Sequence, residues 1–219
     1  MGSGTDPMNI EDRTAVNQAC FWSGAWERTR YRGVPVFKYP EDLWVYQELI
    51  EEIRPTAIVE TGTCQGGSSL YFQDLLDQLP ADGRERRVIT VDVRNQVAAR
   101  DPRIVYVVGD STHPDTLRQV KGHLRPDDVV MVCLDSEHLE PHVYAELHMY
   151  PGLVTAGSYL VVEDTFISRY DCQGERFQDG SSWEALQCWL PDHPEFEYDP
   201  GRDKFLLSMN PGGWLRRKS

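Results

Sequence analysis

The chain has 219 residues and a formal net charge of −13. That balance excludes a nucleic-acid backbone as partner, since such a role needs a basic face. The length suits one α/β domain with additions, and no run of about 18 apolar residues marks a membrane span. Five scattered cysteines (Cys20, Cys64, Cys133, Cys172, Cys188) with no C-x-x-C pair exclude a zinc ribbon and a disulfide framework. A reducing, cytoplasmic setting is expected.

Residues 1–8, MGSGTDPM, have neither a basic n-region nor an apolar h-region, and read as an expression scar before a native Met8. Residues 9–55 form an N-terminal segment and helix. The segment is rich in Trp, Tyr and Arg and is expected to be irregular at first. Its stretch from Phe21 to Phe37 is suited to closing over an acceptor, packing between subunits of a homo-oligomer, or covering its own core. PEDLWVYQELIEEI then predicts a helix, entered at Pro40, favoured by Glu41 and Asp42 at its positive end and stopped by Pro55.

From residue 56 to 219 the pattern alternates. TAIVETG predicts a strand, Ser68 to Leu79 a helix, RVITVDV a second strand and RIVYVVGD a third. A helix around DTLRQV, the strand DDVVMVCLDS, a helix from Pro141 to Tyr150 and the strand SYLVVEDT follow. SSWEALQCWL predicts another helix, and EFEYDP with KFLLSMN a closing β pair turned at Pro200-Gly201. Nearly continuous apolar strands suit parallel strands covered on both faces. The expected class is α/β: a doubly wound, Rossmann-like sheet, mostly parallel, with one antiparallel strand near the C-terminus.

ETGTCQGGSS follows the first of these strands. It lacks G-x-G-x-x-G, and Ser68 stands where a phosphate loop needs lysine, so nucleotide hydrolysis is disfavoured. An acid before the turn repels a pyrophosphate but accepts hydrogen bonds from an ammonium group. The cationic amino-acid end of S-adenosylmethionine fits that pattern. The turn residues Glu60, Thr61, Gly62, Gly66 and Ser68 are therefore candidate cofactor contacts; the alternative is a tight turn with Ser68 capping the helix. Asp92, ending the second strand, is placed to grip ribose hydroxyls, in adenosylmethionine or in NAD alike. Asp110 and Ser111 are candidates for the adenine edge, although a strand-end turn explains them as well.

Three acids and a histidine end the next two strands. Asp135 in CLDSEH, with Glu163 and Asp164 in VVEDTF, converge if those strands are neighbours. Converging carboxylates repel unless a cation compensates, and magnesium is the natural hard ion for oxygen ligands. A neutral His138 beside a metal-bound hydroxyl is a candidate base. The other histidines (His113, His123, His142, His148, His193) lack ligand spacing and are expected to be structural or exposed.

GVPVFKYPEDLWVYQELI, ETGTCQGGS, DSEH, VVEDT and KFLLSMNPGGWLRR together resemble the cephalosporin hydroxylase family, mostly S-adenosylmethionine-dependent O-methyltransferases of antibiotic pathways. The chain is also similar to the catalytic domains of macrolide-sugar and rhamnosyl O-methyltransferases, over roughly residues 30 to 217. The resemblance implies a methyltransferase domain over 56–219. It implies magnesium at Asp135, Glu163 and Asp164, cofactor contacts from Glu60, Gly62, Ser68 and Asp92, and His138 as base. Asp135 is expected to serve metal, cofactor and catalysis together. The larger macrolide enzymes carry an N-terminal domain that this sequence lacks, and DCQGERFQDG, the expected acceptor-facing loop, matches no family signature. The reading is therefore a magnesium-dependent enzyme methylating a hydroxyl of a sugar or related small natural product. Its rivals are a methyltransferase subunit of a β-lactam hydroxylation system and a non-catalytic subunit retaining the fold.

Overall fold

The apolar runs become strands of one sheet in the computed structural model, which describes residues 10–94, 96–97, 100–172 and 177–219. In chain order these include α1 (Ile10–Trp22), the short hairpin β1 (Arg30–Tyr31) and β2 (Val34–Pro35), α2 (Pro40–Ile53), β3 (Ala57–Thr61) and α3 (Gly67–Gln78). Next come β4 (Arg87–Asp92), β5 (Val105–Val108), α4 (Pro114–Gly122), β6 (Val130–Leu134) and α5 (Glu140–Met149). The last are β7 (Tyr159–Val162), α6 (Phe166–Arg169), α7 (Ser182–Trp189), β8 (Phe196–Tyr198) and β9 (Trp214–Arg217).

Seven strands form the order β5-β4-β3-β6-β7-β9-β8. β3 is buried at every residue because it pairs in parallel with β4 on one edge and β6 on the other. β9 alone runs against the rest: it is antiparallel to β7 and to β8. The alternation of strand side chains divides the core between two faces. Val59, Val91 and Leu134 meet α5 and α7 through Val143, Leu147 and Trp189. Ile58, Val88 and Met131 meet α2 and α3 through Tyr46, Leu49 and Phe72. No described helix is long and apolar enough to cross a membrane.

Two expectations fail. Residues 10–22 are helical rather than irregular, although the segment has little amphipathic pattern. Tertiary contacts hold it: Gln18 Nε2 donates to the Tyr170 carbonyl at 2.7 Å, Asn17 Nδ2 to that of Leu206 at 3.0 Å, and Phe21 packs on Phe166. KFLLSMN is no strand; the closing strand is Trp214–Arg217. Side chains take the backbone of that segment instead of a neighbouring strand, with Asp42 accepting from Met209 N at 2.7 Å and Asn17 bonding Leu206 and Ser208. Residues 1–8, read as an expression scar, lie outside the described residues.

Connections leave β3 towards β4 and β5 on one side, and β6 and β7 lie on the other. The crevice therefore opens beyond Thr61 and Leu134, at the carboxyl ends of the strands where such sheets bind ligands. Gly62 sits there at φ +89°, and a Cβ on it would lie 1.8 Å from the carbonyl oxygen of Asp135. Backbone, not ligand, excludes a side chain. Gly62→Ala is expected to lower unfolding free energy by about 3 kcal/mol or more, the upper end for single substitutions. Gly122→Ala, at an open position, should change it by less than about 1 kcal/mol. Urea denaturation of both variants checks the contrast.

Candidate active site

A cavity of about 690 Å³ occupies the crevice, lined by the β3–α3 turn, Asp92, Asp135, His138 and Asp164, with Trp26 and Pro35 to Phe37 on the opposite wall. A smaller cavity of about 230 Å³ shares Gly62, Asp92 and Ser136 with it and runs on to Asp110, Ser111 and His142. Ligand sites of folded enzymes are typically of about 300–1,000 Å³. The two cavities adjoin at Gly62, Asp92 and Ser136.

The turn is shaped by glycines and by the N-terminal segment. Gly66 caps α3 at φ +87°, and a Cβ on Gly67 would lie 2.0 Å from the carbonyl oxygen of Pro35. Asp92 faces both cavities, its Oδ2 accepting from Cys64 N and its Oδ1 from Arg94 N, each at 2.8 Å. Asp110 and Ser111 line the smaller cavity. Asp110 accepts from Thr112 N and Oγ1, and Ser111 Oγ lies 3.0 Å from His142 Nε2.

Glu60 and Thr61 do not face the cleft. Glu60 is wholly buried, its Oε1 accepting from Ser68 Oγ at 2.5 Å and its Oε2 from Thr90 Oγ1 at 2.6 Å and from Ser69. Burial raises its carboxyl above the ordinary value against those three hydroxyls. Alternation explains the placement: Glu60 shares the face of Ile58, towards α3. Its carboxylate organises the first turn of the helix rather than meeting a ligand's ammonium. Ser68 lines the cleft, but its hydroxyl is given to Glu60, and the cap is Gly66. Thr61 Oγ1 accepts from Asp135 N at 3.2 Å, so Thr61 braces β6.

The acids regroup as well. Asp135, His138 and Asp164 each bring one ligand atom within 4.8 Å of the others. Among the described residues Glu163 stands outside that group. It is buried, its Oε1 accepting from Tyr46 Oη at 2.6 Å and its Oε2 from Lys38 Nζ at 2.5 Å. Lys38 Nζ also reaches Asp135 Oδ2 at 2.7 Å. The expected trio of Asp135, Glu163 and Asp164 is thus corrected in its geometry: a lysine bridges two of its members, and His138 takes the third place. Asp164 takes the left-handed φ of +57°, with its N–H donated to Asn210 Oδ1 at 3.1 Å.

Charge follows geometry. Burial opposes a proton on His138, but Asp164 Oδ2 at 2.9 Å from Nε2, with Asp135 and Glu163 near, outweighs it and raises the imidazole to about 9. In the absence of a metal ion this pairing favours the imidazolium, whereas the sequence pattern places a neutral His138 beside a metal-bound hydroxyl. Burial likewise works against the charge of Asp164, yet His138 holds it below the carboxylate range. Burial raises Asp135 and Glu163 despite Lys38. Lys38 itself stays protonated, since its two acids overcome its burial.

Residues 23–218 match the family described as rhamnosyl O-methyltransferase/CmcI. The rhamnosyl O-methyltransferase of Mycobacterium tuberculosis is 33% identical over 200 residues, covering 88% of this chain and 79% of that protein. That of Mycobacterium leprae is 32% identical over 200 residues, with 88% and 85% covered. The chain belongs to the rhamnosyl O-methyltransferase/CmcI family. It is an O-methyltransferase, as its motifs led us to expect. In fold it resembles CmcI solved with Mg and SAM (TM-score 0.66, 22% identity, 88% of this chain and 78% of that one). It also resembles the MycE methyltransferase of the mycinamycin pathway, solved with Mg and SAH (TM-score 0.53, 18% identity, 79% and 48% covered).

Lys38, Tyr46, Thr90 and Asn210 escaped the reading of this family member's sequence. Lys38 had a signal: it is one of four lysines in the chain and lies two residues before the helix that opens at Pro40. The other three had none, because their roles depend on which strands and loops become neighbours. Residues 173–176 of the expected acceptor-facing loop lie outside the described residues.

The ion pair predicts a pH profile. With a folded value raised from 6.5 to about 9, the His138 contribution to stability is full below about pH 6.5 and lost as pH rises through 9. Asp164, lowered from 3.8, contributes above that value and loses its part as pH falls through the lowered value. In chelator, the imidazole NMR signal of His138 should titrate near pH 9, and Asp164→Asn should move it down. His138→Gln should flatten the loss of stability between pH 6.5 and 9 seen by urea denaturation.

Proposed function

We propose that this chain transfers the methyl group of S-adenosylmethionine to a hydroxyl of a sugar or glycosylated metabolite, with magnesium at the acid cluster. The observation that carries this reading is the meeting of Asp135, His138 and Asp164 at the wall of a cleft that also exposes Asp92. The rhamnosyl O-methyltransferases at about one-third identity supply the acceptor class.

The residues present fit both groups. Hard carboxylate oxygens of Asp135 and Asp164 suit magnesium, and Glu163 can add a third if Lys38 gives up one oxygen. Asp92 keeps lone pairs for ribose hydroxyls beyond its two backbone bonds, and the side cavity with Asp110 and Ser111 suits a purine. The cofactor supplies a methyl group on a cationic sulfur that is already a good leaving group, and the metal orients an acceptor's oxygens and lowers its hydroxyl pKa.

The chain's own residues do the remainder. The turn from Gly62 to Ser68 and Asp92 fix the donor's direction, so that an acceptor held at Asp135 and Asp164 attacks in line. His138 lies beside that acceptor, and Nε2 takes the hydroxyl proton. To do so it must first lose the proton that Asp164 holds on it, so His138 becomes a base only when the charge of Asp164 is engaged elsewhere. Trp26, Phe37 and Val36 narrow the opening and exclude water from the reacting atoms.

Activity on a panel of alkyl rhamnosides, read by mass spectrometry as the gain of a methylene, is expected to vanish in EDTA and return with Mg²⁺. Asp92→Ala should weaken S-adenosylmethionine binding by about 1.5–3 kcal/mol in calorimetry, the worth of a hydrogen bond to a charged group. His138→Ala should lower turnover by about 10²–10⁴-fold, recovering in part at high pH. Full turnover in EDTA overturns the metal, and unchanged cofactor affinity removes Asp92 from the site.

A further inference from the structure

We propose that Lys38 is a positioning residue of the acid cluster: its ammonium group holds Asp135 and Glu163 together and sets how tightly a divalent cation binds there. The inference rests on the metal reading above and goes beyond it, since it assigns a role to a residue from outside the strand ends.

Only 3% of the Lys38 side chain is exposed, and its Nζ lies 2.7 Å from Asp135 Oδ2 and 2.5 Å from Glu163 Oε2. Lysine is almost never buried so completely unless its charge is compensated, and a buried charge needs partners on every side. The segment is built to deliver it. The Pro35 carbonyl lies against Gly67 where no side chain fits, anchoring the strap to the cofactor turn. Phe37 then adopts φ +51°, a strained conformation for a bulky residue, of the kind retained where a site depends on it. Phe37 lines the cleft, and the next residue enters the acids. Tyr46 Oη, from α2, fixes the other oxygen of Glu163 at 2.6 Å.

Three acids at this point carry formal charge −3. Lys38 returns +1 to two of them, Asp135 and Glu163. Asp135 and Glu163 are therefore already paired with a lysine that cannot diffuse away. An entering Mg²⁺ ion must share them with Lys38 and is repelled by it at close range. Taking away the lysine charge removes both effects, so the expected sign is tighter metal binding rather than weaker.

The test uses the whole chain with Mg²⁺ alone as probe, at pH 8, by calorimetry and thermal melting. Lys38→Gln should bind Mg²⁺ on the order of 10–100-fold more tightly than the parent, as expected for removing one unit charge a few ångströms away. Its melting temperature in EDTA should fall, and Mg²⁺ should raise it by more than it raises the parent's. Lys38→Arg, which keeps the charge on a bulkier group, should not tighten Mg²⁺ binding as Lys38→Gln does. A merely structural lysine would lower the melting temperature without tightening Mg²⁺ binding, and that result overturns the proposal. If Lys38→Gln is unfolded in EDTA, refolding by added Mg²⁺ supports it and failure to refold overturns it. Equal Mg²⁺ binding by parent and variant defeats this inference alone. Absence of Mg²⁺ binding in every form defeats the metal reading on which it rests.

Discussion

The site depends on a backbone contact between two neighbouring strands. Where β3 ends, Gly62 takes φ +89° and the Asp135 carbonyl passes through the space a Cβ would fill. That contact brings the β3–α3 turn and the acid-bearing end of β6 to the same point. A residue with a side chain would push the two apart. Thr61 reinforces the junction from the other side, since both its carbonyl and its hydroxyl accept from Asp135 N. Asp135 thus reaches the cluster on a backbone held at both its N–H and its carbonyl, with Lys38 taking one carboxylate oxygen.

Elsewhere the acids near the crevice divide between two uses. Glu60 and Asp42 are enclosed and saturated by donors from their own surroundings: three hydroxyls for Glu60, and the Ser208 hydroxyl and Met209 N–H for Asp42. Burial raises both above the ordinary carboxylate range, Asp42 to about 8. Such groups organise the loops around the site and have nothing left for a ligand. Asp92, Asp135 and Asp164 remain open to the cleft. Glu163 stands between these classes, enclosed like a structural acid yet bonded to a lysine shared with Asp135. Enclosure, rather than the number of donors alone, separates the carboxylates that organise loops from those that face the cleft.

The N-terminal segment joins both layers of this design. Phe21 stacks on Trp26 at 5.5 Å and packs on Phe166 of α6, so the segment is bound to the chain that follows β7. Trp26 in turn meets Phe37 edge-on at 6.2 Å, and both rings border the cleft. The same residues that cover a hydrophobic cluster therefore also wall the cavity. α1 owes its helical state to these contacts, because its own sequence supplies little amphipathic drive.

The strands of the sheet, the helix over Pro40–Ile53 and the glycine turn were legible because their signals are local. Apolar runs of strand length need burial on both faces, Pro40 and Pro55 bracket a helix, and the clustered glycines mark a turn before one. That Asp92, Asp135 and Asp164 line one cleft was legible for a related reason: a parallel sheet brings the carboxyl ends of its strands to one edge. The helix at residues 10–22, the loop in place of a KFLLSMN strand, and the enclosure of Glu60 were not. Each is decided by partners distant in the chain, such as Asn17 with Leu206 or Glu60 with Thr90. The protonation of His138 and the pairing of Glu163 with Lys38 belong with them. A side chain's charge and its free lone pairs depend on what the folded chain sets beside it, and for Glu163 that neighbour lies 125 residues away.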